Sequence, residues 1–238
     1  VAEPFVSYLD KDGLKGSRIG VLRESIGANS EPDSEDFRKV TEVFDKAVAD
    51  IRASGAIVVD PIIIPDLKEL LSLRATNSAD EESSLERFMA RSKNPPYRTR
   101  SEIMNSAEFS KVSKRARDQW NRKVSESEHC KFLKAREQLM TNLLNVMAIH
   151  NLDAICIKSV EHQSTYIEDG LNPPFVNHKG AHHLSTFLVF IPSVIVPAGF
   201  TSDHQPAGIT FLGRPFEDGK MIKLAYAYEQ ATFHRKPP

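Results

Sequence analysis

Pro192-Ser193-Val194-Ile195-Val196-Pro197-Ala198-Gly199-Phe200-Thr201, then after a short turn Pro206-Ala207-Gly208-Ile209-Thr210-Phe211-Leu212-Gly213-Arg214-Pro215-Phe216, is the most informative stretch of the chain. It predicts two short strands, at 194–197 and 209–212, apolar on both sides as in a sheet covered by helices. A closing helix follows over 219–234, with Met221, Ile222, Leu224, Ala225 and Tyr228 on its apolar face.

Working back from that end, the Asp153-Ala154-Ile155-Cys156-Ile157 run predicts a buried strand. Near the start, 18–23 is another apolar strand, and 35–54 is the clearest helix. Phe37, Val40, Phe44, Ala47, Val48 and Ile51 recur at spacings of three and four. Asp33 or Ser34 suits its N-cap and Gly55 its left-handed C-terminal position. Two β-branched runs, 56–59 and 62–64, follow, broken by Pro61. Strand, helix, strand in that order implies a parallel crossover in an α/β sheet. Residues 66–150 read as a mostly helical insert divided at Pro95-Pro96, and 158–180 as a long loop.

At 238 residues the chain suits one large domain or two small ones. Its formal net charge of -1 implies no broad cationic surface, which argues against nucleic acid as a partner. The basic cluster between Lys111 and Lys123, interleaved with Asp118 and flanked by Glu126, reads as a solvated helix face. No apolar run reaches the roughly 18 residues that span a bilayer, so no membrane partner is expected. No signal peptide opens the chain, and Val1 in place of Met suggests a processed chain or an excised piece. Cys130 and Cys156 fit buried free thiols rather than a disulfide framework, which favours a reducing, cytoplasmic setting.

Motifs for catalysis are sparse. There is no Gly-x-Ser-x-Gly elbow, no Gly-x-Gly-x-x-Gly and no phosphate loop. Ser193 opens a strand and reads as structural, while Ser83-Ser84 sits among acids that would oppose an oxyanion. Arg214 follows a strand and precedes a helix, where it could meet an anion or a neighbouring carboxylate. His162, His178, His182 and His183 crowd one region, and His178 and His182 would share a face if helical. No spacing there matches a metal-ligand pattern, so no metal and no cofactor is assigned.

Two segments carry a resemblance. One is Leu9-Asp10-Lys11-Asp12-Gly13-Leu14-Lys15-Gly16-Ser17-Arg18-Ile19-Gly20-Val21-Leu22-Arg23. The other is 193–238, including Leu224-Ala225-Tyr226-Ala227-Tyr228-Glu229-Gln230-Ala231-Thr232. Together they resemble the second half of an amidase signature enzyme. The resemblance implies an α/β fold: residues 1–238 would be the C-terminal portion of one domain with a mixed, helix-covered sheet and the helical insert at about 66–150. Family members cleave or transfer amides with a Ser–Ser–Lys triad and a glycine-rich oxyanion loop, all in the N-terminal half. None of these segments occurs here, so no catalytic residue is carried over and the N-terminal catalytic half is expected to be absent.

In the family the second half completes the sheet and supplies one wall of the acyl pocket. Asn177, Gly180, Leu184 and Phe187 are the wall residues that the resemblance implies, with core packing the competing role for Leu184 and Phe187. Lys158-Ser159 stands where the family usually has Pro-Thr, altering the local loop. Phe190 stands where a small residue is usual, implying a narrower pocket or a shifted helix. The partners implied are a small amide substrate, met through the complete enzyme, and either the N-terminal half or a second copy of the chain to cover the exposed sheet. Alone, the chain is expected to be inactive and unstable or oligomeric. The alternative is a non-catalytic binding module on the same scaffold. A fragment of an aminoacyl-tRNA amidotransferase is a third reading, which the charge balance does not favour.

Overall fold

The computed structural model describes residues 3–74, 81–112, 114–173, 176, 178–188 and 190–236. In chain order the elements are β1 (Arg18–Leu22), α1 (Glu35–Ala53), β2 (Ile57–Ile62), α2 (Leu67–Ser72), α3 (Glu81–Met89), α4 (Arg100–Met104), α5 (Ala107–Ser110), α6 (Lys114–Asn121) and α7 (Glu126–Ile149). Then come β3 (Ala154–Lys158), α8 (Ile167–Leu171), α9 (Leu184–Phe187), β4 (Ser193–Phe200), β5 (Pro206–Leu212) and α10 (Asp218–Thr232). The chain divides into two units, Val1–Leu71 with Gln138–Pro238, and Ser72–Glu137.

The first unit is built on a five-stranded sheet in the order β2-β1-β3-β5-β4. β1 runs parallel to β2 and β3, and β5 runs antiparallel to β3 and β4, so the sheet is mixed as expected. One face is closed by α1 and α10. Val43, Phe44, Ala47, Val48 and Ile51 of α1 join Met221, Leu224, Ala225 and Tyr228 of α10 over Ile19, Val21, Cys156, Ile209 and Phe211. Each large apolar side chain so buried contributes about 1.5–3 kcal/mol, enough to make this stripe the main reason α1 forms. Ser34 caps α1, accepting from Phe37 N, and Gly55 follows at φ +88°. On the α7 side, Leu139, Leu143 and Met147 are buried, and Asn142 Nδ2 donates to Pro65 O.

Several local expectations change. Pro61 does not break β2, which runs through it as an edge strand with a register shift. An edge strand tolerates a residue that cannot donate to the ladder. β4 and β5 are longer than the apolar runs suggest, and β4, the other edge, contains Pro197. The 158–180 segment holds α8 and a bridge from Val160 to Ala181. Cys156 is buried as expected, but Cys130 is exposed, because its helix lacks apolar cover there.

The second unit has little core. Among its described residues Ala135 alone is buried. Its order comes from caps and one aromatic node. Ser125 accepts from Glu128 N while Glu128 accepts from Ser125 N, a capping box at the head of α7. Thr99 and Ser106 cap α4 and α5. Trp120 packs 5.8 Å from Phe109, lies 5.1 Å beneath the Arg100 guanidinium and accepts a hydrogen bond from it at its carbonyl.

Candidate functional site

The carboxyl ends of parallel strands β1 and β3 point to one crevice, the usual location of ligand sites in open α/β sheets. Its wall carries Arg23, Glu24 and Ser25 after β1, Lys158 at the end of β3, and Glu161 and His182 beyond it. The chain turns that make it are set by one buried carboxylate. Glu161 is only 3 % exposed. It accepts from Ser25 Oγ (2.6 Å), Ile26 N (2.6 Å), Gly27 N (3.0 Å) and Ser30 Oγ (2.5 Å). A buried carboxylate persists only when so satisfied.

His162, equally buried, fixes the next stretch. Its Nε2 accepts from Glu31 N (2.9 Å), so the ring proton sits on Nδ1, which donates to Asp36 Oδ2 (2.8 Å). Burial works to raise the Asp36 pKa, but hydrogen bonds from Ser34 and His162 and the charge of Lys179 overcome it and hold the carboxyl at about 2. The three segments then cross with no side chain between them. Gly180 N donates to Ala28 O (2.7 Å), and Glu161 N donates to Gly180 O (3.0 Å). A Cβ on Gly27 would lie 2.5 Å from Gly180 O, and one on Gly180 would lie 2.7 Å from His162 N. Gly180 also sits at φ +71°.

Lys158 and His182 are the reactive groups left over. The Lys158 ammonium lies 3.8 Å from the Phe37 ring centroid and donates to Thr41 Oγ1 (2.7 Å). It makes no ion pair among the described residues. Burial pushes its pKa down to about 8 against the pull of Glu161 and Asp45. His182 Nε2 lies 3.0 Å from Lys158 O and therefore donates to that carbonyl. Nδ1 is left a bare acceptor, buried without a partner among the described residues. Burial lowers the His182 pKa, which keeps the ring neutral. Arg23 is committed to Asp60 (2.5 Å) and Asp45 (2.7 Å). Ser25 Oγ donates to Glu161, a carboxylate that also accepts from two backbone amides and Ser30 Oγ, so this hydrogen bond is part of the loop's scaffold.

The crevice encloses about 10 Å³, room for a single water and not for an organic substrate. A larger cleft, about 520 Å³, lies at the far end of α1 and α10 and is lined by Lys11, Lys15, Lys46, Asp50 and His234. Within it Asp50 accepts from Lys46 (3.0 Å) and lies 3.2 Å from His234 Nε2.

Of the wall residues implied by resemblance, Gly180 forms the backbone crossing, and Leu184 and Phe187 are buried in α9. Asn177 lies outside the described residues. Phe190 does not fill the interior of this chain. It is exposed, at φ +71°, and stacks on Phe216 with centroids 6.1 Å apart. Residues 178–183 are not helical, so His178 and His182 do not form the spaced pair considered from sequence. Arg214 pairs with Glu217 (3.7 Å), the neighbouring-carboxylate alternative. Sequence reasoning took Lys158 only as a departure from the family pattern and Glu161 only as one carboxylate near the histidines, and gave neither the role seen here. The available signal was an adjacent Glu161-His162 pair in a loop otherwise rich in turn residues.

Comparison with known proteins bears on this arrangement. The amidase family model matches residues 2–222. A probable amidase of Arabidopsis thaliana is 25% identical over 252 residues, covering 98% of this chain and 42% of its own length. A glutamyl-tRNA(Gln) amidotransferase subunit of Thermoanaerobacter pseudethanolicus is 27% identical over 244 residues, covering 98% and 48%. Among solved structures, native peptide amidase from Stenotrophomonas maltophilia shares the fold over the whole chain and 47% of its own, with a TM-score of 0.71 at 22% identity. The chain thus spans about half the length of the curated relatives it matches.

Proposed function

Because the chain belongs to the amidase family, we propose that it is the C-terminal portion of an amidase that hydrolyses carboxylic amides by a Ser–Ser–Lys mechanism. In this reading the chain completes the sheet and supplies one wall of the acyl pocket, and it is inactive alone. The observation that carries the reading is the crevice at the ends of β1 and β3. It has the position of an α/β active site, but at about 10 Å³ it has no room for an amide. The walls and the chemistry then come from a partner segment: the N-terminal half of the same protein or, failing that, a second copy of the chain. Asn177 is proposed for the wall, Leu184 and Phe187 back it from within the core of this chain, and Gly180 acts by shaping the loop.

The role of this portion is positional. Glu161 and His162 hold the 24–31 loop in one geometry, so any surface it presents to a substrate is pre-formed. His182 Nδ1 offers one hydrogen-bond acceptor at the crevice floor. The test is amide hydrolysis by the chain alone and after addition of the N-terminal half of a family member. The expected result is no serine-dependent turnover alone and turnover on reconstitution. Substantial turnover by the chain alone overturns the proposal.

A further inference from the structure

The near-neutral total charge hides a partition. The Ser72–Glu137 unit holds fifteen basic and ten acidic side chains, a net +5, and the rest of the chain holds sixteen and twenty-two, a net -6. Within the unit, residues 87–123 hold eleven basic and only three acidic side chains. Part of this segment is drawn together at the Trp120 node, which gathers α4, α5 and α6. Arg100 and Phe109 meet at the Trp120 ring, Tyr97 Oη donates to Glu108, and Arg117 donates to Ser110 O. Arg91, Lys93, Arg98, Lys111 and Lys123 are exposed, and none has an ion-pair partner among the described residues.

Five uncompensated cations on a unit with almost no core are not explained by stability, since mutual repulsion opposes folding. From this surface we infer that the Ser72–Glu137 unit binds a flexible polyphosphate chain, a single-stranded nucleic acid. A bilayer fits less well. Interfacial binding needs a continuous apolar face, whereas the helices α3 to α6 are four to nine residues long and the Trp120 ring is covered by its neighbours. Of the unit's described large apolar side chains, only Leu73, Phe88 and Val112 are strongly exposed. An acidic protein surface would call for a cluster of aromatic anchors, whereas Phe88 is the one strongly exposed aromatic among the unit's described residues. A flexible strand asks only for distributed cations, with Phe88 free to stack on a base. The inference is independent of the amidase reading, and total charge alone would have hidden it.

The test is fluorescence anisotropy of a labelled oligouridine of ~20 nucleotides titrated with the full chain. Five phosphate contacts on a single strand give a salt slope of about -3.5, so raising salt from about 50 to about 200 mM should weaken binding about a hundredfold. The triple variant Arg98→Glu, Lys111→Glu, Lys123→Glu should bind at least about tenfold more weakly and lower the slope by about two. These side chains are exposed and have no ion pair among the described residues, so the variant should keep its circular dichroism spectrum. Lys11→Glu with Lys15→Glu, in the other unit, should leave affinity within about twofold. No binding at low salt, equal binding by the triple variant, or tighter binding to phosphatidylserine vesicles than to the oligonucleotide at equal phosphate overturns the inference.

Discussion

Replacing Glu161 by alanine removes the acceptor for Ser25 Oγ, Ile26 N, Gly27 N and Ser30 Oγ at once. Hydrogen bonds to a charged group contribute about 1.5–3 kcal/mol each, and a buried donor left unmatched costs about 1–3 kcal/mol. The full sum is not reached, because the 24–31 loop can swing out and let water satisfy its amides. Releasing the loop forfeits the His162–Glu31 bond as well, so the net loss should be about 3–5 kcal/mol. That is a large part of a typical domain's stability. Urea unfolding followed by far-ultraviolet circular dichroism measures the total, and hydrogen exchange at Ile26 and Gly27 reports the loop. Glu161→Gln should fall between parent and alanine, since its amide keeps one oxygen but faces donors with an NH₂ group. An alanine variant within about 1 kcal/mol of the parent, with both amides still protected, would refute the assignment of Glu161 as the organiser of this loop.

Two further outcomes follow from the same geometry. Lys158 is a base whose folded-state pKa, about 8, lies below its unfolded value, so the unfolded chain binds the extra proton between the two and stability should rise with pH through that window. After discounting for partial exposure the rise should be about 1–2 kcal/mol. Lys158→Met should flatten it and stabilise the chain near neutrality, and parallel pH profiles for the two proteins would count against a buried ammonium. Gly180→Ala should cost about 2–4 kcal/mol, because positive φ and a 2.7 Å clash with His162 N act together. Gly16→Ala, at φ +76° with open space around it, should cost only about 1 kcal/mol, and equal losses for the two variants would show that the crossing carries no steric constraint.

The parts of the fold written in local pattern were legible. The α1 stripe, the apolar runs of β1, β3, β4 and β5 and the parallel crossover all follow from spacing and β-branching. β2 was misread at Pro61 because its place at the sheet edge is a property of strand order, which no local window contains. The crevice was less legible. Glu161 is bound to donors more than a hundred residues earlier, and neither partner carries a motif. Lys158 looked like a mere departure from the family pattern, yet Phe37 and Thr41 of α1 give it a defined seat. Histidines close in sequence part company in space, His162 turning to Asp36 and His182 to a backbone carbonyl. Total charge averages over the chain, and opposite excesses on two units cancel in it.

The crossing of Gly27, Gly180 and the 161–162 backbone also has a meaning for engineering. It acts as a clasp that closes the chain between Gln163 and His178 into a loop with both ends fixed. Doubling the length of a loop whose ends are already held costs only about 0.6 kcal/mol. That interval is therefore a cassette. Sequence can be exchanged or inserted there with little cost to the sheet, while a single added atom at the clasp cannot be absorbed. Recombination libraries built on this chain should place every junction inside the cassette and leave the two glycines untouched.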